Sequence, residues 1–158
     1  MKKINIVLYN PEIPQNTGNI SRTCAVTGAA LHIIKPMGFE VTDKNLKRAG
    51  LDYWDKLDIT YYENYEDFLE KNPNAELYFF TSSGTHCYAD VAYPETVFLV
   101  FGKETAGLPK ELVEQNADRA LRIPMLKTLR CLNLSNAVAV AVYEVLRQRG
   151  FDEMALLK

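Results

Sequence analysis

Histidine and cysteine are scarce in this 158-residue chain, which carries two of the first and three of the second. Cys24, Cys87 and Cys131 form an odd, widely spaced set with no C-x-x-C pair, so neither a disulfide framework nor a zinc site is indicated, and reduced thiols are expected. His32 sits in the strand-like "LHIIK" and reads as structural; His86 lies in a polar loop, where an exposed turn residue accounts for it. No Ser-His-Asp or Cys-His arrangement and no metal-ligand spacing occurs, so covalent hydrolysis lacks support and no metal is expected. No apolar run approaches the roughly 20 residues that span a bilayer. The start, "MKKINIVLYN", passes from two lysines straight into a strand pattern rather than a leader, so the expectation is a cytoplasmic protein with no membrane partner. The phosphate-cradling patterns G-x-x-x-x-G-K-[ST] and G-x-G-x-x-G are missing as well, which removes support for a triphosphate or dinucleotide cofactor.

The length suits one domain, residues 1–158, with one core. The net charge of −2 argues against a protein that coats nucleic acid without selectivity, but the charge is unevenly placed. Arg119, Arg122, Lys127 and Arg130 fall in a stretch without acids, while Glu63 to Glu76 holds five acids against Lys71. Solvated helix and loop faces explain this as well as a basic surface does.

Short apolar runs rich in strand formers alternate with helical segments, an α/β signature. Strands are expected at Ile4–Tyr9, Leu31–Ile34, Ile59–Tyr62, Leu77–Phe80, Val97–Phe101 and Ala120–Ile123. Helices are expected near Asn19–Thr27, Asp43–Ala49, Tyr65–Lys71, Pro109–Gln115 and Ser135–Arg149. Runs such as "LYFF" and "VFLVF" lack polar alternation, as a mostly parallel sheet covered on both faces requires. Gly28 is a good stop for the first helix and Gly150 for the last. "AVAVAV" in the last helix is apolar on every side and should be buried on every side, under the sheet or against another subunit, so self-association is expected.

In open α/β sheets ligands collect at the carboxyl ends of strands. Four loops there hold candidates. "QNTGNISR" suggests a helix starting near Thr17 to Asn19 whose free N–H groups and positive end, with Arg22 one turn in beside Asn19, could hold a phosphate; a capped helix with a solvated arginine explains the same pattern. "GKETAGLP" could shape a backbone-lined pocket around Glu104, or be a tight strand-to-helix connection. "CLNLSNA" brings Asn133, Ser135 and Asn136, more polar groups than one helix cap needs. Tyr143 is the single hydroxyl in "AVAVAVYEVL", serving the core or a site. The residues by themselves point to a nucleoside-like ligand with a phosphate and no further.

Together, "NTGNISR", "FGKETAGLP", and "RIPM" followed by "LNLSNAVAVAVYE" resemble the three ordered motifs of the SpoU-type, or SPOUT, RNA ribose methyltransferases, from Ile4 to about Gly150. "LYNPEIPQNTGNI" and "HIIKPMGF" are most similar to members that methylate the tRNA wobble nucleotide, cytidine or uridine. The resemblance implies a parallel-sheet domain with a C-terminal deep trefoil knot, a homodimer, and S-adenosylmethionine held largely by backbone groups. Carried over by motif, the cofactor contacts would be Phe80, Gly102, Ile123, Met125, Cys131 and Leu132. Arg22 would be the catalytic candidate and Tyr143 a substrate or catalytic contact, and Asn16, Asn19, Glu104, Asn133, Ser135 and Asn136 would shape the site. Because a guanidinium is a poor proton acceptor, Arg22 is expected to orient the ribose or phosphate and stabilise the developing alkoxide. The chain departs from the family pattern at Cys131, commonly serine, and at Lys103, commonly proline. Partners implied are the tRNA anticodon stem-loop and a second copy of the chain, with phosphate contacts from the basic stretch and from Lys44, Lys47 and Arg48. Another tRNA position, ribosomal RNA, or a silent RNA-binding homologue remain as alternatives.

Overall fold

The computed structural model of the protein describes residues 2–40, 42, 44, 54–127, 131–152 and 154–155. The apolar runs form seven strands: β1 Lys3–Tyr9, β2 Ala30–Ile34, β3 Ile59–Tyr62, β4 Leu77–Phe80, β5 His86–Cys87, β6 Thr96–Phe101 and β7 Ala120–Arg122. They make one sheet in the order β3-β2-β1-β6-β4-β7-β5, and every neighbouring pair is parallel. The longest strand, β1, lies inside the sheet, with Ile6 opposite Leu31 on one side and Leu99 on the other.

Among the described residues, four helices of more than one turn cover the two faces: α1 Pro14–Thr27, α2 Tyr65–Lys71, α3 Lys110–Gln115 and α4 Leu134–Gln148. Side-chain alternation sorts the core between them. Ile4, Ile6, Leu8, Leu31, Ile33, Leu99 and Phe101 point to the face where Ile20 and Cys24 of α1 and Val138, Ala141, Val142 and Val145 of α4 pack. Val7, Ile34, Phe79, Phe98 and Val100 point to the other face, against Phe68 of α2 and Leu112 of α3. Each fully buried Ile, Leu or Phe contributes on the order of 1.5–3 kcal/mol of transfer free energy.

The boundaries correct the sequence reading in places. The first helix starts at Pro14, not Asn19, because Pro14 takes the first helical position, where its fixed φ fits and no N–H is needed. Gly18, Asn19 and Arg22 therefore sit inside the helix, Arg22 more than two turns from its start. Gly28 closes it as expected, at φ +77°, its N–H donating to the Cys24 carbonyl. The last helix begins at Leu134, with Asn133 as its cap. β7 ends at Arg122, one residue short, and the two-residue β5 has too little length to show a period. The helix expected over Asp43–Ala49 lies, apart from Lys44, outside the described residues, as do the expected phosphate contacts Lys47, Arg48 and Arg130.

His32, expected to be structural, is the centre of a buried polar chain. Asn5 donates through Nδ2 to the Val97 carbonyl (3.3 Å), and its Oδ1 lies 2.9 Å from His32 Nε2. His32 Nδ1 lies 2.7 Å from the Tyr62 hydroxyl, which accepts from Asn72 Nδ2 at 3.1 Å. One neutral tautomer satisfies all of this, with Nε2–H donating to Asn5 and Nδ1 accepting from Tyr62. Burial pushes the imidazole pKa down to about 4, with Asp58 pulling upward and Lys3 adding a smaller downward push.

The unfolded imidazole takes a proton near 6.5 and the folded one resists until about 4, so His32 costs stability as pH falls through that window. From pH 7 to pH 5 the loss is about 2 kcal/mol. Urea unfolding at the two pH values should show this drop in the wild type and a smaller one in His32→Gln; equal slopes would remove His32 as the cause.

Candidate active site

All strands being parallel, the loops after β1, β4, β6 and β7 emerge at one edge of the sheet, and hydrogen bonds tie them together. The loops after β1 and β6 are clasped reciprocally. Glu104 accepts from the N–H groups of Glu12 (2.8 Å) and Ile13 (3.3 Å), while Glu12 accepts from the amide (3.2 Å) and hydroxyl (2.6 Å) of Thr105. These bonds, the hydroxyl's first, hold the Glu12 carboxyl below its usual pKa. Gly102 permits the turn that brings Glu104 there, since a Cβ at this position would lie 2.1 Å from the Gly107 carbonyl carbon. Gly84 does the same between β4 and β5, its missing Cβ leaving room for the Leu121 backbone, and Arg122 donates to the Ser82 carbonyl.

A second joint locks the helices. α1 and α4 both leave the carboxyl edge running antiparallel to the strands, so their N-termini lie together. Asn133 Nδ2 donates to Asn16 Oδ1 at 2.9 Å across 117 residues of sequence. Its own Oδ1 accepts from the amide (2.9 Å) and hydroxyl (2.5 Å) of Ser135 and the amide of Asn136 (3.4 Å), capping α4.

The anion site expected at Thr17 to Asn19 is not formed. The amides of Asn16 and Thr17 turn back to the Ile13 carbonyl, Pro14 has no N–H, and the Glu104 carboxylate takes the donors before it. The negative charge at this helix mouth is the protein's own. Thr17 Oγ1, one residue from Asn16, is buried without a hydrogen-bond partner.

Arg22 and Asn19 lie on the exposed side of α1, in a stripe with Gln15 and Val26; Tyr143 lies on the exposed side of α4 with Asn136 and Val140. Arg22 is about 12 Å along its helix from the start and Tyr143 about 13 Å along its own. The two stand level on adjacent helices, set back from the Asn16–Asn133 joint. Within one copy α4 is thus covered on one side only, leaving Val140 and Tyr143 37% and 44% exposed on the side that the expected self-association would have to cover.

The residues matched by motif to cofactor contacts divide in two. The Phe80 ring is buried and stacked on Phe101 at 4.8 Å, so only its backbone reaches the edge. Ile123 and Met125 are partly exposed, Cys131 is exposed, and Leu126 and Leu132 show 73% and 40% of their surface. This apolar surface follows β7, whose Leu121 carbonyl accepts from the Thr81 amide at the start of the loop after β4. Sequence reading missed Glu12, Thr105, Thr17 and Leu126; only the "PEIP" lead into a proline-started helix gave a signal, for Glu12. Among the described residues, no group of three or more His, Cys, Asp or Glu side chains could hold a metal ion.

Residues 3–143 match the model of the SpoU rRNA Methylase family. A tRNA (cytidine(34)-2'-O)-methyltransferase of Escherichia coli (strain K12) is 50% identical over 154 residues, 97% of this chain and 98% of that protein. A solved structure concerned with 2-OH methylation of C/U34 on tRNA superposes with a TM-score of 0.88 at 41% identity, covering 95% of this chain and 98% of that one. An AdoMet-bound rRNA methyltransferase from Sinorhizobium meliloti superposes with a TM-score of 0.81 at 26% identity, covering 92% of this chain and 56% of that one.

Asn133→Ala removes the α4 cap and the tie to Asn16 together and should cost about 1–2 kcal/mol in denaturant unfolding. Asn133→Asp keeps the cap acceptor and loses the donor, so it should recover most of the stability but not the activity. Full activity in the Asp variant would show that the joint to Asn16 is dispensable.

Proposed function

The chain belongs to the SpoU rRNA methylase family, and from that premise we propose that it is an S-adenosylmethionine-dependent tRNA methyltransferase acting on the ribose 2′-oxygen of the anticodon wobble nucleotide, cytidine or uridine. The observation that carries this reading is the near end-to-end likeness to the Escherichia coli cytidine(34) enzyme. It is supported by the way Asn16, Glu104 and Asn133 from the three motifs meet at one edge.

The residues present fit the cofactor. An adenosine needs apolar walls and backbone hydrogen bonds, and the loops after β4, β6 and β7 would offer both, with Ile123 and Met125 partly exposed and Leu126 and Leu132 exposed after β7. Phe80 and Gly102 would contribute backbone groups, and Cys131 likewise, so that its replacement of serine costs little. When bound, S-adenosylmethionine would supply an electrophilic methyl group on a sulfonium sulfur, for transfer to the ribose 2′-oxygen. The chain's part is positioning and charge. Glu104 fixes the lead into α1 and Asn133 fixes α1 against α4, while Ser135 and Asn136 serve the cap. Arg22 offers a planar fork to the substrate phosphate or the developing alkoxide, with Tyr143 beside it.

The working unit is a homodimer. The exposed stripes carrying Asn19, Arg22, Val26, Val140 and Tyr143 form one continuous surface, and a second copy laid on it covers the valines and carries each Arg22 to the other copy's cofactor loops. The fold carries the family's C-terminal trefoil knot, as membership of the family implies. The site of action is the cytoplasm, as for a tRNA-modifying enzyme, and the RNA partner is the tRNA anticodon stem-loop.

Ribose-methylation mapping of tRNA from cells lacking the gene should show loss at the wobble nucleotide, restored by purified protein with S-adenosylmethionine; loss elsewhere would reassign the substrate. Arg22→Lys, which keeps the charge and loses the fork, should lower kcat on the order of 10²-fold or more with cofactor affinity unchanged, and near-normal turnover would reject the role. Val140→Glu should halve the mass seen by light scattering and abolish turnover. A monomeric wild type would sink the shared site.

A further inference from the structure

A second hollow, of about 640 Å³, opens at the carboxyl ends of β2 and β3, lined chiefly by Lys35, Met37, Phe39, Glu40, Tyr61 and Glu63. The chemistry above does not use it. Its ring wall follows from strand alternation: Tyr62 turns inward to the His32 chain, so Tyr61 turns to the other face of the sheet at an edge strand, where it is half-buried. The Trp54 side chain hydrogen-bonds Tyr61 and fixes the ring. Lys35 is placed by its own backbone, whose amide donates to the Tyr62 carbonyl at 2.9 Å. Its ammonium stands 6.0 Å from the centre of the Tyr61 ring and 3.4 Å from the Glu63 carboxylate.

This mixture selects a ligand class. One ammonium against two carboxylates disfavours an isolated phosphate or an acidic metabolite. A flat, neutral ring with amino donors on its edge fits: the ring lies on Tyr61 and Phe39, the amino group donates to Glu63, and an attached phosphate reaches Lys35. The hollow also joins the site already described. Gly38 donates its N–H to the Pro11 carbonyl at 2.8 Å, and a Cβ there would meet the Glu12 backbone at 2.8 Å, so its rim rests on the loop that Glu104 clasps. Three to four strand spacings, roughly 14–19 Å, separate it from the loops after β6 and β4, a gap that a few nucleotides of single strand cover.

We propose that this hollow is a base-reading subsite for an unpaired, amino-bearing nucleobase flanking the methylated nucleotide. This rests on the tRNA reading above and deepens it: the target ribose is presented by one base held at a fixed distance along the same sheet edge.

Trp54 is the chain's single tryptophan and touches Tyr61, so it reports occupancy directly. Titrating the full-length protein with an anticodon stem-loop RNA should change Trp54 fluorescence, and the same stem closed by a short loop of uridines should not. Phe39→Ala and Glu63→Gln, neither of them a fully buried residue, should each weaken stem-loop binding roughly tenfold, with calorimetric S-adenosylmethionine affinity unchanged. Lys35→Ala should reduce the salt slope by about one. A wild type that methylates tRNA while Trp54 stays silent and both variants bind normally overturns the subsite alone. Binding reported by Trp54 without methylation of any tRNA overturns the enzyme reading and keeps the subsite.

Discussion

The uniform direction of the strands governs everything else in this molecule. A parallel sheet needs a return crossing for each strand, so every loop that follows a strand opens on the same edge. In a chain of this size, that places segments from residues 10, 81, 102 and 123 onward within reach of one another. What remains is to stop them moving, and the chain does so with side-chain bonds that cross about 90 to 117 residues. Glu12, Glu104 and Asn133 each hold more than one partner, so none is left to float.

That use of acids explains a charge pattern awkward for an RNA enzyme. A carboxylate near an RNA site would repel phosphate if it pointed outward. Glu104 instead spends its charge on two backbone N–H groups at the mouth of α1, and Glu12 on Thr105. The helix dipole is met from within the chain, so these two carboxylates are engaged by the chain's own donors.

Much of the fold was legible because its strands are continuous apolar runs, too short for buried helices and too apolar for loops. Gly28 marked a helix end for a reason that depends on one residue's φ alone. The start of α1 was misplaced because the polar density of "QNTGNISR" outweighed the plainer signal of Pro14 at a first helical turn. Of its amides only Asn16 is buried, serving the joint to Asn133, which no local pattern can reveal, since the partner lies 117 residues away; Gln15 and Asn19 are exposed. The structural role of His32 was legible from its place in an apolar run, yet its bonds to Asn5 and Tyr62 depend on the register of three strands. The motif residues were named by resemblance, but only coordinates separate Phe80, whose ring is core, from Leu132, whose side chain faces out.

Arg22 makes the last step. A catalytic guanidinium would be expected at the mouth of the helix, close to the cofactor loops, and here it stands about 12 Å down the outer face of α1, level with Tyr143. Within one copy it faces away from the sheet, as its exposure requires. The same stripe carries Val26 and Val140, apolar side chains that solvent would not select on two adjacent helices. The proposed homodimer would account for both: a surface covered by a second copy, with the arginine working across the contact. On that proposal the position of Arg22 and the half-covered α4 have a single cause, and the fork is assembled only when two chains meet.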